Sequence, residues 1–431
     1  MEASKNYTLT AAVTLVIANM IGTGVFTSLG YQVGPLPSGF AILMLWLVGG
    51  IVALCGAMTY AEISTTLKRS GGEYLYLSKI FHPVLGFLSG WMSSVVGFAG
   101  AISAVAIAIG EYATEATGVS TKVIAVVAIA AVSFVHWFGV KTGGRVQTLL
   151  TSLKLSLIAF FCIAPFFIHS VAKTTIQFSP QPGDWNLILS SGFAVSLVFV
   201  LYAYTGWNAS SYIAGNLDHP RKNLPKSLIT GTLVVVIIYL ALNAMFLYTA
   251  TFAELQGQND IGNVVAYKLF GTTAGTIFSG IFSFALLSTL SAMTIAGPRV
   301  IEAMGEDYKL LRSFSVKNRY QMPYVAILTQ AGWSIFLVLV SSFKEIIQYI
   351  SVSLSFFSML TVFGIFFLRR KPVHNEHFKT PLFPITPLIF ISCTLWMMYY
   401  VAVEDYKIMI YSAATLIPGL LLYYVSIKRQ H

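Results

Sequence analysis

Ile21-Gly22-Thr23-Gly24-Val25-Phe26 sets two glycines into the middle of the first long apolar segment of the chain. Glycine is a poor helix former with access to unusual dihedrals, so this spacing invites a helix to open. In lipid no water satisfies the backbone groups that such an opening frees. A bound solute does so well: the outer half-helix presents N–H groups and a positive dipole end, and the inner half presents carbonyls. The break is therefore a clamp suited to a small zwitterion. Close helix packing through small residues is the competing reading, and the rest of the chain has to decide between them.

Of 431 residues, 56% are hydrophobic and 10% charged, against roughly 25% charged in soluble domains. Apolar segments of about 20 residues, without two-residue alternation, indicate an all-α polytopic membrane protein and not a barrel. Met1 to Asn6 is polar and no small-residue cleavage site follows, so the first span is expected to stay in the mature protein.

Apolar runs between polar breaks give twelve spans, centred near residues 19, 52, 97, 131, 158, 201, 239, 287, 333, 357, 395 and 417. With the N-terminus inside, twenty basic residues fall on the cytoplasmic side, from Lys5, Lys68, Arg69 and Lys79 to Lys428 and Arg429. Five fall outside: Lys122, Lys173, Lys268, Lys344 and Lys407. This bias places both termini in the cytoplasm, and the expected location is the plasma membrane. Topology thus accounts for the net charge of +10, and nucleic acid is not expected as a partner.

Lys154 is the basic residue outside that count, and it lies within the fifth span, Leu153-Lys154-Leu155-Ser156. A lysine there is costly and marks a functional candidate, with snorkelling to the inner face as the alternative. The sixth span carries Tyr202-Ala203-Tyr204-Thr205-Gly206-Trp207-Asn208, a second glycine-bearing polar break. Spans 1 and 6 stand at corresponding positions if spans 1 to 5 and 6 to 10 are two halves. That pairing points to an inverted repeat with a site between the breaks. Repeat one then covers about 8–170, repeat two about 187–370, and two extra helices about 386–427.

The loop from Asn216 to Pro225, with two prolines and clustered charge, reads as a fixed turn. Gly297-Pro298-Arg299, followed by Glu302, Glu306 and Asp307, suggests ion pairs at the inner face. Cys55, Cys162 and Cys393 read as core residues, and the seven histidines, near span ends or in loops, as solvated or capping groups. No metal or cofactor is expected. No phosphate-binding Gly-x-x-x-x-Gly-Lys-Ser/Thr loop, His-Glu-x-x-His or Gly-x-Ser-x-Gly is present, so an enzyme has no chemical footing. A channel would want polar rings or a filter segment, and the sequence has neither.

Taken together, these motifs resemble the amino acid/polyamine/organocation (APC) transporter superfamily, and within it the L-amino-acid transporter branch. The resemblance runs from about Thr8 to Arg370. It is carried by Ile21 to Phe26, by Gly56-Ala57-Met58-Thr59-Tyr60-Ala61-Glu62 and by Ser70-Gly71-Gly72-Glu73-Tyr74. Arg145-Val146-Gln147 with Lys154, Tyr202 to Asn208 and the Pro220 to Pro225 loop complete it. It implies a five-plus-five inverted-repeat fold with discontinuous spans 1 and 6, alternating access and an amino acid held between them. Backbone N–H groups of Thr23, Gly24 and Val25 would take the substrate carboxylate. Carbonyls near Ala18, Ile21, Tyr202 and Thr205 would take its ammonium, with Tyr202 as aromatic gate. By position, Lys154 would replace a sodium ion beside the first break, donating near Ala18 or Ile21 and to Thr289 or Ser288. Sodium independence follows, by exchange or proton-linked uptake.

Two departures matter. The branch often has Phe at Tyr202 and a small residue at Thr205, so added bulk trims the pocket. Eukaryotic members pair with a glycoprotein through a cysteine after span 3. Glu111 to Thr121 contains none, so no disulfide-linked heavy chain is expected. Spans 1, 3, 6, 8 and 10 hold no Asp or Glu near their middles, and Asn208 stands where a carboxylate would serve a cation. The expected substrates are neutral L-amino acids, with cationic amino acids or polyamines as the alternative.

Overall fold

The computed structural model describes residues 7–67, 71–138, 140–168, 174–258, 260–340, 343–370 and 378–428. Lys68, Arg69 and Ser70, and the side chains of Lys141, Arg145 and Val146, lie outside what is described. Ten helices are long and apolar enough to cross a membrane, and two shorter apolar ones, Thr121–Trp137 and Tyr324–Val340, complete a set of twelve among the described residues. Among those residues the β structure is an isolated bridge between Tyr7 and Leu217.

Span 1 is Leu9–Met20 with Gly24–Thr27, span 2 Gly39–Leu67, and span 3 runs through Pro83–Met92, Ser93–Phe98 and Ala99–Thr117. Spans 4 and 5 are Thr121–Trp137 and Val140–Phe167. Span 6 is Ser191–Tyr204 with Ala209–Asn216, and span 7 is Pro220–Thr249. Spans 8 to 12 are Ile261–Asp307, Tyr324–Val340, Phe343–Leu368, Ile385–Glu404 and Tyr406–Lys428. A short helix, Gly72–Ile80, lies between spans 2 and 3.

Both predicted breaks are real interruptions of the helix. Span 1 opens with a Thr8 cap on the Ala11 N–H and stops at Ile21, whose ψ of 91° is extended. Helix resumes at Gly24. Span 6 opens on a Ser190 cap and stops at Thr205, with ψ 148°. Gly206 follows at φ +96°, a conformation that favours glycine. The two breaks pack on each other. A Cβ at Gly24 would stand 2.6 Å from Ala203 Cα, and one at Gly206 would stand 2.8 Å from Asn19 Cβ. Each glycine is therefore the point where one span's backbone lies against the other, which brings two segments 180 residues apart in sequence into a single site.

One end of the helix bundle is tied by charge. The buried Arg299 donates to Glu302 at 2.7 Å, and Lys317 reaches the same carboxylate at 3.0 Å. Tyr7 brackets the end of span 6: its N–H donates to Asn216 O, and its carbonyl accepts from the Asp218 N–H. The turn expected over 216–225 ends earlier than the sequence suggests. Helix begins at Pro220, where a missing N–H costs nothing, and continues through Pro225. The turn proper is held by Asn223 Nδ2 on Asp218 O at 2.6 Å.

A second clasp joins spans 2 and 10 to the chain entering span 11. Glu62 accepts two bonds from the Arg369 guanidinium, at 2.8 and 2.7 Å, and one from the Thr380 N–H at 2.6 Å. That guanidinium also lies 3.8 Å over the Phe383 ring. Glu62 is 2% exposed and Arg369 29%, so Glu62→Ala is expected to cost about 3 kcal/mol, the low end of the range for breaking a buried pair. Thermal denaturation of the detergent-purified protein checks this. Arg369→Lys should fall between wild type and Glu62→Ala, because an ammonium cannot fork onto both oxygens.

Candidate functional site

Span 5 carries Lys154 past the first break. Its side chain is wholly buried, and its ammonium donates to Ile21 O at 2.5 Å, Thr289 Oγ1 at 2.9 Å and Ala18 O at 3.3 Å. Thr289, on span 8, donates to Ile21 O as well, at 2.5 Å. One cation thus holds the last carbonyls of a helix C-terminus, where the macrodipole favours positive charge, and pins that end between spans 5 and 8. Ser288 does not join this cluster, and its hydroxyl is buried without a partner among the described residues.

The same contacts occupy carbonyls expected to take the substrate ammonium. Ile21 O takes both Lys154 and Thr289. Tyr202 O takes both the Thr205 N–H and its hydroxyl, at 3.0 and 2.7 Å. Each carbonyl has two lone pairs, so neither has one left for a substrate ammonium in this conformation, and Ala18 O is already shared with Lys154. Among the described residues no donor reaches the Thr205 carbonyl. Thr23, Gly24 and Val25 open the resumed helix of span 1, the position whose N–H groups no intrahelical carbonyl reaches.

Beside the breaks lies a cavity of about 70 Å³. Thr205 and Asn208 line it, together with Asn19, Glu73, Phe98, Tyr212, Met293 and Ser358. Ala18, Ile21, Thr23, Gly24, Val25 and Tyr202 do not. Tyr202 is buried in one hydrophobic cluster with Leu77, Phe199 and Ile350.

Glu73 revises the expectation that no carboxylate stands near the site. It sits on the short helix Gly72–Ile80, outside every span, and that helix folds inward so that the side chain is 2% exposed in the cavity wall. Its Oε1 accepts from Tyr60 at 2.6 Å, Ser358 at 2.6 Å and Asn208 at 3.1 Å. Span 3 contributes a wide π turn, Ser93–Phe98, a local irregularity often found at functional sites. His136 is a further correction. Near the end of span 4, it is 1% exposed and pairs with Ser291 at 2.8 Å, so it is neither solvated nor a cap. His82 does cap, accepting from the Val84 N–H.

Tyr239, on span 7, escaped the sequence reading altogether. Its hydroxyl lies 2.5 Å from Met20 O and 2.9 Å from Ala203 O, the carbonyls at the ends of the two broken helices. Its one proton serves either carbonyl, so removing it leaves one buried acceptor short of a donor, at about 1–3 kcal/mol. Tyr239→Phe is therefore expected to fold and to slow transport several-fold, as read by initial uptake rates normalised to protein.

A family model described as amino acid permease matches residues 7–423. The serine/threonine exchanger SteT of Bacillus subtilis (strain 168) is 28% identical over 99% of this chain and 98% of its own length. The b(0,+)-type amino acid transporter 1 of Mus musculus is 25% identical over 98% and 88%. The cystine/glutamate transporter of Homo sapiens is 25% identical over 92% and 80%.

Proposed function

The chain belongs to the amino acid permease family, a family of transporters and not of enzymes, and on that footing we propose that it carries neutral L-amino acids across the plasma membrane by sodium-independent exchange. The observation that carries this reading is the Lys154 ammonium on Ile21 O, Ala18 O and Thr289. A fixed cation there does what a bound sodium ion would do, bracing the broken span 1 against span 8. The substrate carboxylate meets the N–H groups of Thr23, Gly24 and Val25, where a helix start favours an anion. Its ammonium meets the Thr205 carbonyl, with Asn208 in the side-chain wall and Tyr202 closing the outer side. Spans 1 to 5 and 6 to 10 form the two inverted repeats, and both termini lie in the cytoplasm. Alternating access then opens the site to one side at a time.

Neutral substrates are supported by the engagement of Glu73 Oε1 with three neutral donors. The similarity to a serine/threonine exchanger supports the same class. A cationic substrate is the second reading, favoured by the presence of the Glu73 carboxylate in the cavity wall. Purified protein in liposomes, loaded with single amino acids, tests the two. Trans-stimulated uptake with alanine, serine or leucine is the expected result. Arginine or putrescine exchange with no response to those three would replace the neutral reading by the cationic one.

A further inference from the structure

Four of the polar side chains in the cavity wall each spend a donor inside the protein. Asn19 Nδ2 donates to Leu15 O at 2.9 Å, and the Thr205 hydroxyl to Tyr202 O at 2.7 Å. The Ser358 hydroxyl donates to Glu73 Oε1 at 2.6 Å. Asn208 Nδ2 donates to the same Oε1 at 3.1 Å and to Tyr212 at 3.4 Å. An oxygen that already receives the Tyr60 and Ser358 protons is an acceptor, whether the carboxyl is ionised or carries a proton on its other oxygen. It therefore turns the amino group of the Asn208 amide toward itself and fixes an orientation that an amide would otherwise choose from its surroundings. The Asn208 Oδ1 points the other way. Among the described residues it has no partner and is not sealed from space, so it opens on the cavity.

We propose that Glu73 holds the Asn208 amide oxygen toward this cavity as an acceptor, and that the site thereby selects neutral amino acids whose side chain bears a proton donor, serine and threonine, over isosteres without one. Glu73 is a positioning residue that acts through Asn208. The inference deepens the exchange reading above and rests on it. Threonine and valine have nearly the same shape, so their difference isolates the hydroxyl. A site with this acceptor in place leaves it unpaired when valine binds. Aspartate, whose side chain brings only acceptors, should bind worse than either.

The test is competition against labelled serine uptake into serine-loaded proteoliposomes of the full chain. Threonine is expected to inhibit at about one tenth of the valine concentration, with aspartate weaker still. In Glu73→Met, which keeps length and removes the acceptor, the threonine-to-valine ratio should fall toward one, whereas Tyr60→Phe, which leaves the Asn208 contact, should keep it. If Glu73→Met does not fold, Asn208→Leu reads the same ratio and should also bring it toward one. Equal inhibition by threonine and valine in wild type, or an unchanged ratio in the folded Glu73→Met or Asn208→Leu variant, overturns the proposal while leaving amino acid exchange intact. Failure to exchange any amino acid would instead remove the reading on which it rests.

Discussion

Gly24→Val is expected to abolish uptake, by more than about 100-fold, in a protein that still reaches the membrane. A Cβ at this position meets Ala203 Cα at 2.6 Å, Cβ at 2.8 Å and N at 3.3 Å. Two of these are backbone atoms of the other broken span, so no rotamer change relieves the clash, and the two breaks must separate. Separation moves the N–H groups of Thr23 to Val25 away from Thr205, and the clamp loses its geometry. A shift of about 1 Å in a positioning element is enough for a 100-fold loss. Gly24→Ala meets the same atoms and should fall most of the way. Wild-type uptake by Gly24→Val would mean that this contact is only packing.

Lys154→Ala is expected to leave a folded protein whose transport is slowed about tenfold or more. The ammonium is the contact shared by spans 1, 5 and 8, and its loss leaves Ala18 O without that donor and Ile21 O with Thr289 alone. Lys154→Met separates charge from volume. It fills the same space without the donor, so it should transport as poorly as Lys154→Ala while denaturing at a higher temperature. Uptake restored by Lys154→Met would assign the residue to packing alone. Uptake by wild type is expected to be the same in sodium and in choline, since the cation at this point is part of the chain.

Much of the architecture is legible in the sequence because membrane-spanning helices announce themselves by length and apolarity, and breaks by glycines within such runs. Lys154 is legible for a related reason: a lysine inside an apolar run has few places to put its charge. The remainder depends on tertiary contact. Glu73 reads as part of a polar connection, and only the inward fold of Gly72–Ile80 makes it a wall of the cavity. Tyr239 is one of 22 tyrosines in an ordinary apolar stretch, and nothing in its neighbours shows that its hydroxyl meets two broken helices. The occupied carbonyls of Ile21 and Tyr202 are equally invisible, since backbone acceptors carry no sequence signal and are claimed by whichever donor the fold brings near. His136 misleads for the opposite reason, as a polar residue near a span end that packs inward onto Ser291.

The account turns on a substrate clamp braced by a built-in cation, and one measurement addresses both parts. Purified protein is reconstituted into liposomes loaded with unlabelled serine, and labelled serine uptake is followed in choline medium and then in sodium medium. The predicted result is saturable uptake that needs serine inside and proceeds at the same rate in both media. Uptake that appears only with sodium, or that proceeds equally well without serine inside, would contradict it.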